Sequence, residues 1–224
     1  MKRIIIALVL FLAAINTFAH ERTFKPATVR KIQFKRDGLK LVGNLFLPAD
    51  FDKKSTYKAI IVEGSFTSVK EQMPAFYAQR FADNGFVVLA FDYSHYGESE
   101  GTPKQLESPQ EKLKDLKSAV TYLTNLPYVK GVGMVGVCTS ASNAVDLAAN
   151  DNRIKAMATV AGFLPDPALG ITMFGDKEVA RRKALAQAAR ETFAKTGKAQ
   201  TVPAYSELDQ SAINFAPRGY LIII

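Results

Sequence analysis

A chain of 224 residues, 48% of them hydrophobic, carries enough apolar side chains for one substantial core; this excludes an intrinsically disordered protein and suits one domain with a short appendage. The formal charge of +8 comes from scattered lysines and arginines apart from Lys53-Lys54 and Arg181-Arg182-Lys183, a solvated basic surface that argues against nucleic acid as a partner. One cysteine rules out an internal disulfide, and two histidines are too few for a histidine-rich metal site, so no metal or other cofactor is expected.

The first predicted element is an export signal. Lys2-Arg3 forms a positive n-region, Ile4 to Ile15 is an almost unbroken apolar run, and Thr17-Phe18-Ala19 puts small residues at −3 and −1 of a cut after Ala19. The run is shorter than the ~20 residues of a spanning helix, which favours a cleaved signal over an anchor. Residues 1–19 are therefore expected to be removed, leaving His20 as the N-terminus and a charge of about +6. The expected location is periplasmic or secreted, with no stable membrane anchor.

Val29 to Lys35 and Leu39 to Leu47 alternate as strands and are joined by Asp37-Gly38, a hairpin turn signal. Ala59 to Glu63 reads as a buried parallel strand. A helix follows with Met73, Phe76, Tyr77 and Phe81 on one face and Gly85 as its stop. Phe86 to Phe91 is the next buried strand. Ser108, Pro109 and Glu111 form a capping box for a helix whose core stripe is Leu113, Leu116, Val120 and Leu123. Val132 to Val137 is a strand, Thr139 to Ala149 a helix and Ile154 to Val160 a strand. The order predicts an α/β fold with a mostly parallel sheet and helices on both faces. Ligands in such sheets bind outside the carboxyl ends of the strands. From Asp166 the pattern changes, and Asp176 to Lys195 reads as one long charged helix stopped by Gly197. The expected division is a signal over 1–19, a core over 20–165, and a helical cap-like segment with an unplaced tail over 166–224.

The chemistry is expected where a strand runs straight into a helix, at Gly133-Met134-Val135-Gly136-Val137-Cys138-Thr139-Ser140-Ala141-Ser142. Cys138 stands at the bend, with Gly136 at −2 and Ser140 at +2, small residues that a nucleophile elbow requires. The following helix N-terminus favours thiolate over thiol. Two alternatives stay open: a merely structural cysteine in a tight turn, and Ser140 as nucleophile in a shifted register. Two further stretches follow strand ends, Glu63-Gly64-Ser65-Phe66-Thr67-Ser68 and Asp92-Tyr93-Ser94-His95-Tyr96-Gly97-Glu98-Ser99-Glu100-Gly101.

The D-x-x-x-x-G-x-S of that last loop, together with Val69-Lys70-Glu71-Gln72-Met73, Gly136-Val137-Cys138-Thr139-Ser140 and Asp151-Asn152-Arg153-Ile154-Lys155-Ala156, resembles a bacterial dienelactone-hydrolase-like branch of the α/β hydrolases. The resemblance covers roughly Thr28 to Asp209. It implies the α/β-hydrolase fold, hydrolysis of ester, thioester or lactone carbonyls in a small-molecule substrate, and Cys138 as nucleophile. It also implies an oxyanion hole made by the N–H groups of Thr139 and of Phe66, the latter competing with its loop neighbours for the role. Ala141 and Ser142 stand where relatives carry glycines.

The family's triad runs nucleophile, acid, histidine, each later one following a later strand. No histidine follows Cys138. The expectation is a C-terminally truncated family member whose sheet is incomplete at the C-terminal edge, with His95 a weak substitute base. Three readings result: an exported hydrolase impaired by truncation, a non-catalytic remnant or binding module that keeps the pocket, and a basic surface-binding protein that no charge cluster supports.

Overall fold

The computed structural model describes residues 26–164, 166–209 and 211–215. The expected signal segment and the apolar end, Tyr220 to Ile224, lie outside the described residues.

Six strands form one sheet in the order β1-β2-β4-β3-β5-β6. β1 (Thr28–Arg36) and β2 (Leu39–Leu47) are the predicted hairpin. Asp37 at φ +49° and Gly38 at φ +87° turn it, both left-handed as a type I′ turn needs to match strand twist. β2 pairs antiparallel with β4 (Val87–Phe91). β4, β3 (Tyr57–Glu63), β5 (Val129–Val137) and β6 (Ile154–Val160) are parallel. The chain steps from β3 out to β4, then crosses back over β3 to β5. The strand order therefore reverses between β3 and β5, where the loops leaving their carboxyl ends diverge and open a crevice. This is the mostly parallel α/β sheet that the strand–helix alternation predicts.

Each face of the sheet has its own core. On one side Leu41, Leu89 and Met134 of the sheet share a core with Leu116 and Leu123 of α2 (Pro109–Thr124) and Leu147 of α3 (Ser140–Asn150). On the other Val62, Val88, Ala90 and Val137 pack under Ala78 and Ala82 of α1 (Met73–Asp83). All five residues of β4 are buried, so it reads as a continuous apolar run rather than an alternating one. Each such Leu, Ile or Val contributes roughly 1.5–3 kcal/mol by leaving water.

Two local expectations are corrected. The buried stripe of α1 is Pro74, Ala78 and Ala82, while Phe76 is 60% exposed. Small side chains let the helix lie close to the sheet, and the aromatics flank the contact, with Phe76 edge-on to Tyr77 and beneath the Arg80 guanidinium. The capping box at α2 is half formed: Ser108 Oγ accepts from the Glu111 N–H at 3.4 Å, but the Glu111 carboxylate is drawn instead to Arg36 and Lys114.

Past β6 the sequence pattern missed a helix, α4 (Pro167–Phe174), capped by Asp166, whose Oδ1 accepts from the Leu169 N–H at 2.6 Å. The long charged helix is present as α5 (Asp176–Thr196), stopped by Gly197 at φ +68°. It buries no residue, and its Arg182 guanidinium lies 4.5 Å from the Phe174 ring centre of α4. Two-residue strands β7 (Tyr205–Ser206) and β8 (Asn214–Phe215) pair with each other. Among the described residues β6 is the last strand of the main sheet, with Lys155 to Thr159 exposed.

Candidate active site

Cys138 occupies the bend between β5 and α3 at φ +56°, a conformation that costs an L-residue roughly 1–2 kcal/mol. Three backbone hydrogen bonds hold it there. The Cys138 N–H donates to the Val160 carbonyl at 3.0 Å, and its own carbonyl accepts from Ala141 at 3.1 Å and Phe163 at 2.9 Å. The side chain is half-buried and touches the α1-side core. A Cβ on Gly136 would stand 2.7 Å from the Ser140 carbonyl and 2.8 Å from Ala141 Cα, which is the steric reason for glycine at −2. Gly136→Ala is expected to cost about 1–3 kcal/mol in urea unfolding; an unchanged midpoint would mean that strand and helix separate there freely.

Ser140 is fully buried, and its hydroxyl donates to the Gly64 carbonyl. This geometry leaves Ser140 a structural role and ties the elbow to the loop after β3. In that loop Thr67 sits at φ +59°, and the Ser68 N–H and hydroxyl both donate to the Ser65 carbonyl, at 3.1 and 3.0 Å. Phe66 is half-buried in the turn. Among the described residues neither the Phe66 nor the Thr139 backbone N–H has an acceptor, as an anion-binding pair requires.

Lys70 anchors the far end of this loop. Its N–H donates to Asp92 Oδ1 and its ammonium to Asp92 Oδ2, both at 2.8 Å, with Glu98 at 2.6 Å and Glu71 at 2.6 Å. Lys70 and Asp92 are each 1% exposed. Burial alone lowers the Lys70 pKa, and hydrogen bonds to Asp92, Glu71 and Glu98 more than reverse this, leaving it raised. The D-x-x-x-x-G-x-S motif is now explained residue by residue. Asp92 Oδ2 also accepts from the Glu98 N–H at 3.0 Å. Gly97, at φ +47°, leaves room that any Cβ would take from the Asp92 carboxylate. Ser99 Oγ donates to the Asp92 carbonyl at 2.6 Å and accepts from Val42 at 2.9 Å. The motif thus braces the loop after β3 and ties the turn to β2.

Arg36 pins the same segment to α2, donating to Asp115 at 2.8 Å, Ser94 at 2.9 Å and Glu111 at 2.6 Å. His95 is buried at φ +75°. Its Nδ1 lies 2.8 Å from the Pro103 carbonyl; a carbonyl only accepts, so Nδ1 donates and fixes the tautomer. Its N–H donates to Glu100 and its carbonyl accepts from Gln105, both at 2.8 Å. His95 is clamped as part of the turn.

Glu63, the last residue of β3, was not singled out by sequence reasoning. It lies opposite Gly136 and is 1% exposed. Oε2 accepts from the Tyr93 hydroxyl at 3.1 Å, while Oε1 and the Thr139 hydroxyl are buried without a partner. Burial pushes the Glu63 carboxyl up to about 8, against smaller opposing effects of Tyr93 and Lys112. A carboxyl raised on folding stabilises fully below its unfolded value of 4.5, and that contribution is lost as pH rises to about 8. Unfolding free energy is therefore expected to fall by a few kcal/mol between pH 5 and 8.5, and Glu63→Gln to flatten that slope. Urea melts across this range check it; parallel slopes for the two proteins would contradict it. The sequence marks the residue, as a charge closing the buried run Ala59 to Val62, but not its role.

Among the described residues no three His, Cys, Asp or Glu side chains gather where they could hold a metal ion, and no helix is long and apolar enough to cross a membrane.

Comparison with known proteins agrees with this arrangement. The chain is 40% identical over 118 residues to the uncharacterized protein YcjY of Escherichia coli, covering 52% of this chain and 39% of that protein. It is 36% identical over 126 residues to the thiohydrolase aneE of Aspergillus aculeatus, covering 55% and 38%. The crystal structure of the hypothetical protein PA2218 from Pseudomonas aeruginosa superposes with a TM-score of 0.67 at 30% identity, covering 77% of this chain and 55% of that one. The chain thus spans roughly two fifths of these curated relatives' length. The dienelactone hydrolase family profile matches residues 47–209, a span that includes the elbow, the loop after β3 and the Asp92 turn, and the chain belongs to the dienelactone hydrolase family.

Proposed function

We propose that this chain is an exported hydrolase of ester, thioester or lactone carbonyls in small molecules, with Cys138 as nucleophile and the Phe66 and Thr139 N–H groups as oxyanion donors. The observation that carries the reading is the left-handed Cys138 at the strand–helix bend, with two unpaired amides in the adjoining turns. Export rests on the Lys2-Arg3, Ile4 to Ile15 and Thr17-Phe18-Ala19 pattern; the cap role of the α4–α5 segment rests on its place after β6.

In the acylation step the thiolate sulfur bonds to the carbonyl carbon. The C–O or C–S bond of the substrate breaks, and the leaving group departs with that electron pair and takes a proton from solvent. Water then attacks the thioester carbon and the thiolate leaves. This second step needs a base to take the proton from water. Among the described residues the one histidine, His95, is clamped in the Asp92 turn, so acylation by these residues is proposed to outrun deacylation. The same observation favours a second reading, a binding module that holds carbonyl ligands without turnover. Rapid mixing with p-nitrophenyl acetate decides between them: a burst near one equivalent, absent in Cys138→Ala, is expected, and identical traces for the two proteins would leave only the binding reading.

A further inference from the structure

An apolar surface that the proposed chemistry does not use lies past β6. Phe163 and Leu164, with Leu169, Ile171, Met173 and Phe174 of α4, are each between 37% and 55% exposed. α4 carries no charged residue. Its large side chains leave it on more than one side: Leu169 and Met173 stand one turn apart, and Ile171 and Phe174 share another side. A Cβ on Gly170 would meet nothing within 4 Å. Single exposed apolar side chains are ordinary, but six on one short segment mark a surface that something covers.

The helix that follows indicates what covers it. α5 has six basic residues against three acidic ones, a net +3. Arg181 and Arg182 both pair with Glu178, at 2.7 and 2.8 Å. The Arg182 guanidinium also lies 4.5 Å from the Phe174 ring centre, which joins the basic helix to the apolar one. Lys177, Lys183 and Lys195 are exposed, and among the described residues no carboxylate stands within salt-bridge distance of them. An apolar helix beside unpaired cations calls for a partner that offers hydrocarbon and negative charge together, without a fixed pattern of hydrogen bonds. An anionic phospholipid surface offers both. A second copy of this chain offers the apolar part only, since docking through α4 would bring two basic helices together. Neither helix is amphipathic by itself, because the apolar and basic parts occupy successive helices.

We propose that α4 seats in the headgroup–acyl boundary of an anionic phospholipid bilayer, with Lys177 and Lys183 of α5 on the lipid phosphates, and holds the protein reversibly at that surface. With eight residues α4 is far short of the ~20 that span a bilayer, so the helix lies on the membrane and does not cross it. The surface begins beside the elbow, where the Phe163 N–H donates to the Cys138 carbonyl at 2.9 Å, so docking brings Cys138 close to the lipid. The inference stands apart from the hydrolase reading, since the docking uses no atom of Cys138.

The test uses the full chain with Cys138→Ala, which removes its one thiol. A single cysteine is then placed by Met173→Cys, or by Lys117→Cys on the exposed side of α2 as control, and labelled with the polarity-sensitive dye nitrobenzoxadiazole. Vesicles of phosphatidylglycerol and phosphatidylcholine in equal parts are expected to shift the emission to the blue at position 173 and to leave it in place at 117. The half-saturating lipid concentration is expected to rise about tenfold or more when Lys177→Gln and Lys183→Gln are combined, when salt is raised from about 50 to 500 mM, or when phosphatidylcholine is used alone. All these proteins share the same residues outside 26–215, so the differences belong to α4 and α5. No shift at 173, equal shifts at 173 and 117, or equal affinity for the two lipid compositions would overturn the proposal. A shift at 173 without vesicles, growing with protein concentration alongside a dimer in sedimentation, would also overturn it and place a second copy on this face. Because Cys138 is absent from every protein compared, each result holds whether or not Cys138 acylates.

Discussion

Cys138→Ser is expected to lower the rate of acylation by an activated ester about a hundredfold or more. In many enzymes of this fold serine is the nucleophile, and the substitution exchanges one atom at an unchanged φ of +56°. The difference lies in the proton. A free thiol is a few per cent ionised at neutral pH and attacks as thiolate without help, whereas a serine hydroxyl must pass its proton to a base as it attacks. Among the described residues the one histidine, His95, is held in its turn by Pro103, Glu100 and Gln105. Stopped-flow release of p-nitrophenolate measures the effect. A serine variant that acylates within a few fold of wild type would show that a base is already in place, and His95 would be the first candidate to replace next.

The second large effect concerns stability. Lys70→Met is expected to lower the unfolding free energy by about 3–5 kcal/mol, the usual consequence of removing one partner of a buried ion pair. Asp92 is 1% exposed and would be left with only the N–H groups of Lys70 and Glu98 as partners for its carboxylate oxygens. The loss should be larger than for Lys31→Met, because Lys31 bonds Glu98 at the surface with its side chain 57% exposed, where such pairs are worth at most about 1 kcal/mol. Urea unfolding of both variants makes the comparison. Equal, small losses would mean that Asp92 is rehydrated when Lys70 is removed, and that the motif is less rigid than its hydrogen bonds imply.

The strands were legible because they are apolar runs bounded by turn residues, as at Asp37-Gly38 and at Gly85. Cys138 and Gly136 were legible for a local reason: a strand entering a helix with no intervening loop forces a left-handed residue and forbids a Cβ two positions before it. The face of α1 was read in part: Met73, Tyr77 and Phe81 do pack against the core while Phe76 is exposed, because periodicity ranks side chains by hydrophobicity, whereas close packing on the sheet selected Ala78 and Ala82 by size. The short helix α4 escaped because its residues are apolar all round and carry no periodic stripe. Glu63 and Lys70 were beyond local reading. Their roles depend on Tyr93 and Asp92, about thirty and twenty-two residues away, and only the fold brings those partners together. The Asp92 turn lay between these extremes: its spacing was recognised by resemblance, and its physical cause is the contact between Gly97 and the Asp92 carboxylate.

The most direct test of the account is the site of acylation. The protein is mixed with p-nitrophenyl acetate, quenched within the burst and digested, and the acetyl group is located by tandem mass spectrometry. The account predicts a hydroxylamine-labile acetyl thioester on Cys138 that persists after the substrate is consumed. Acetyl groups confined to lysines, with Cys138 unmodified, would contradict it.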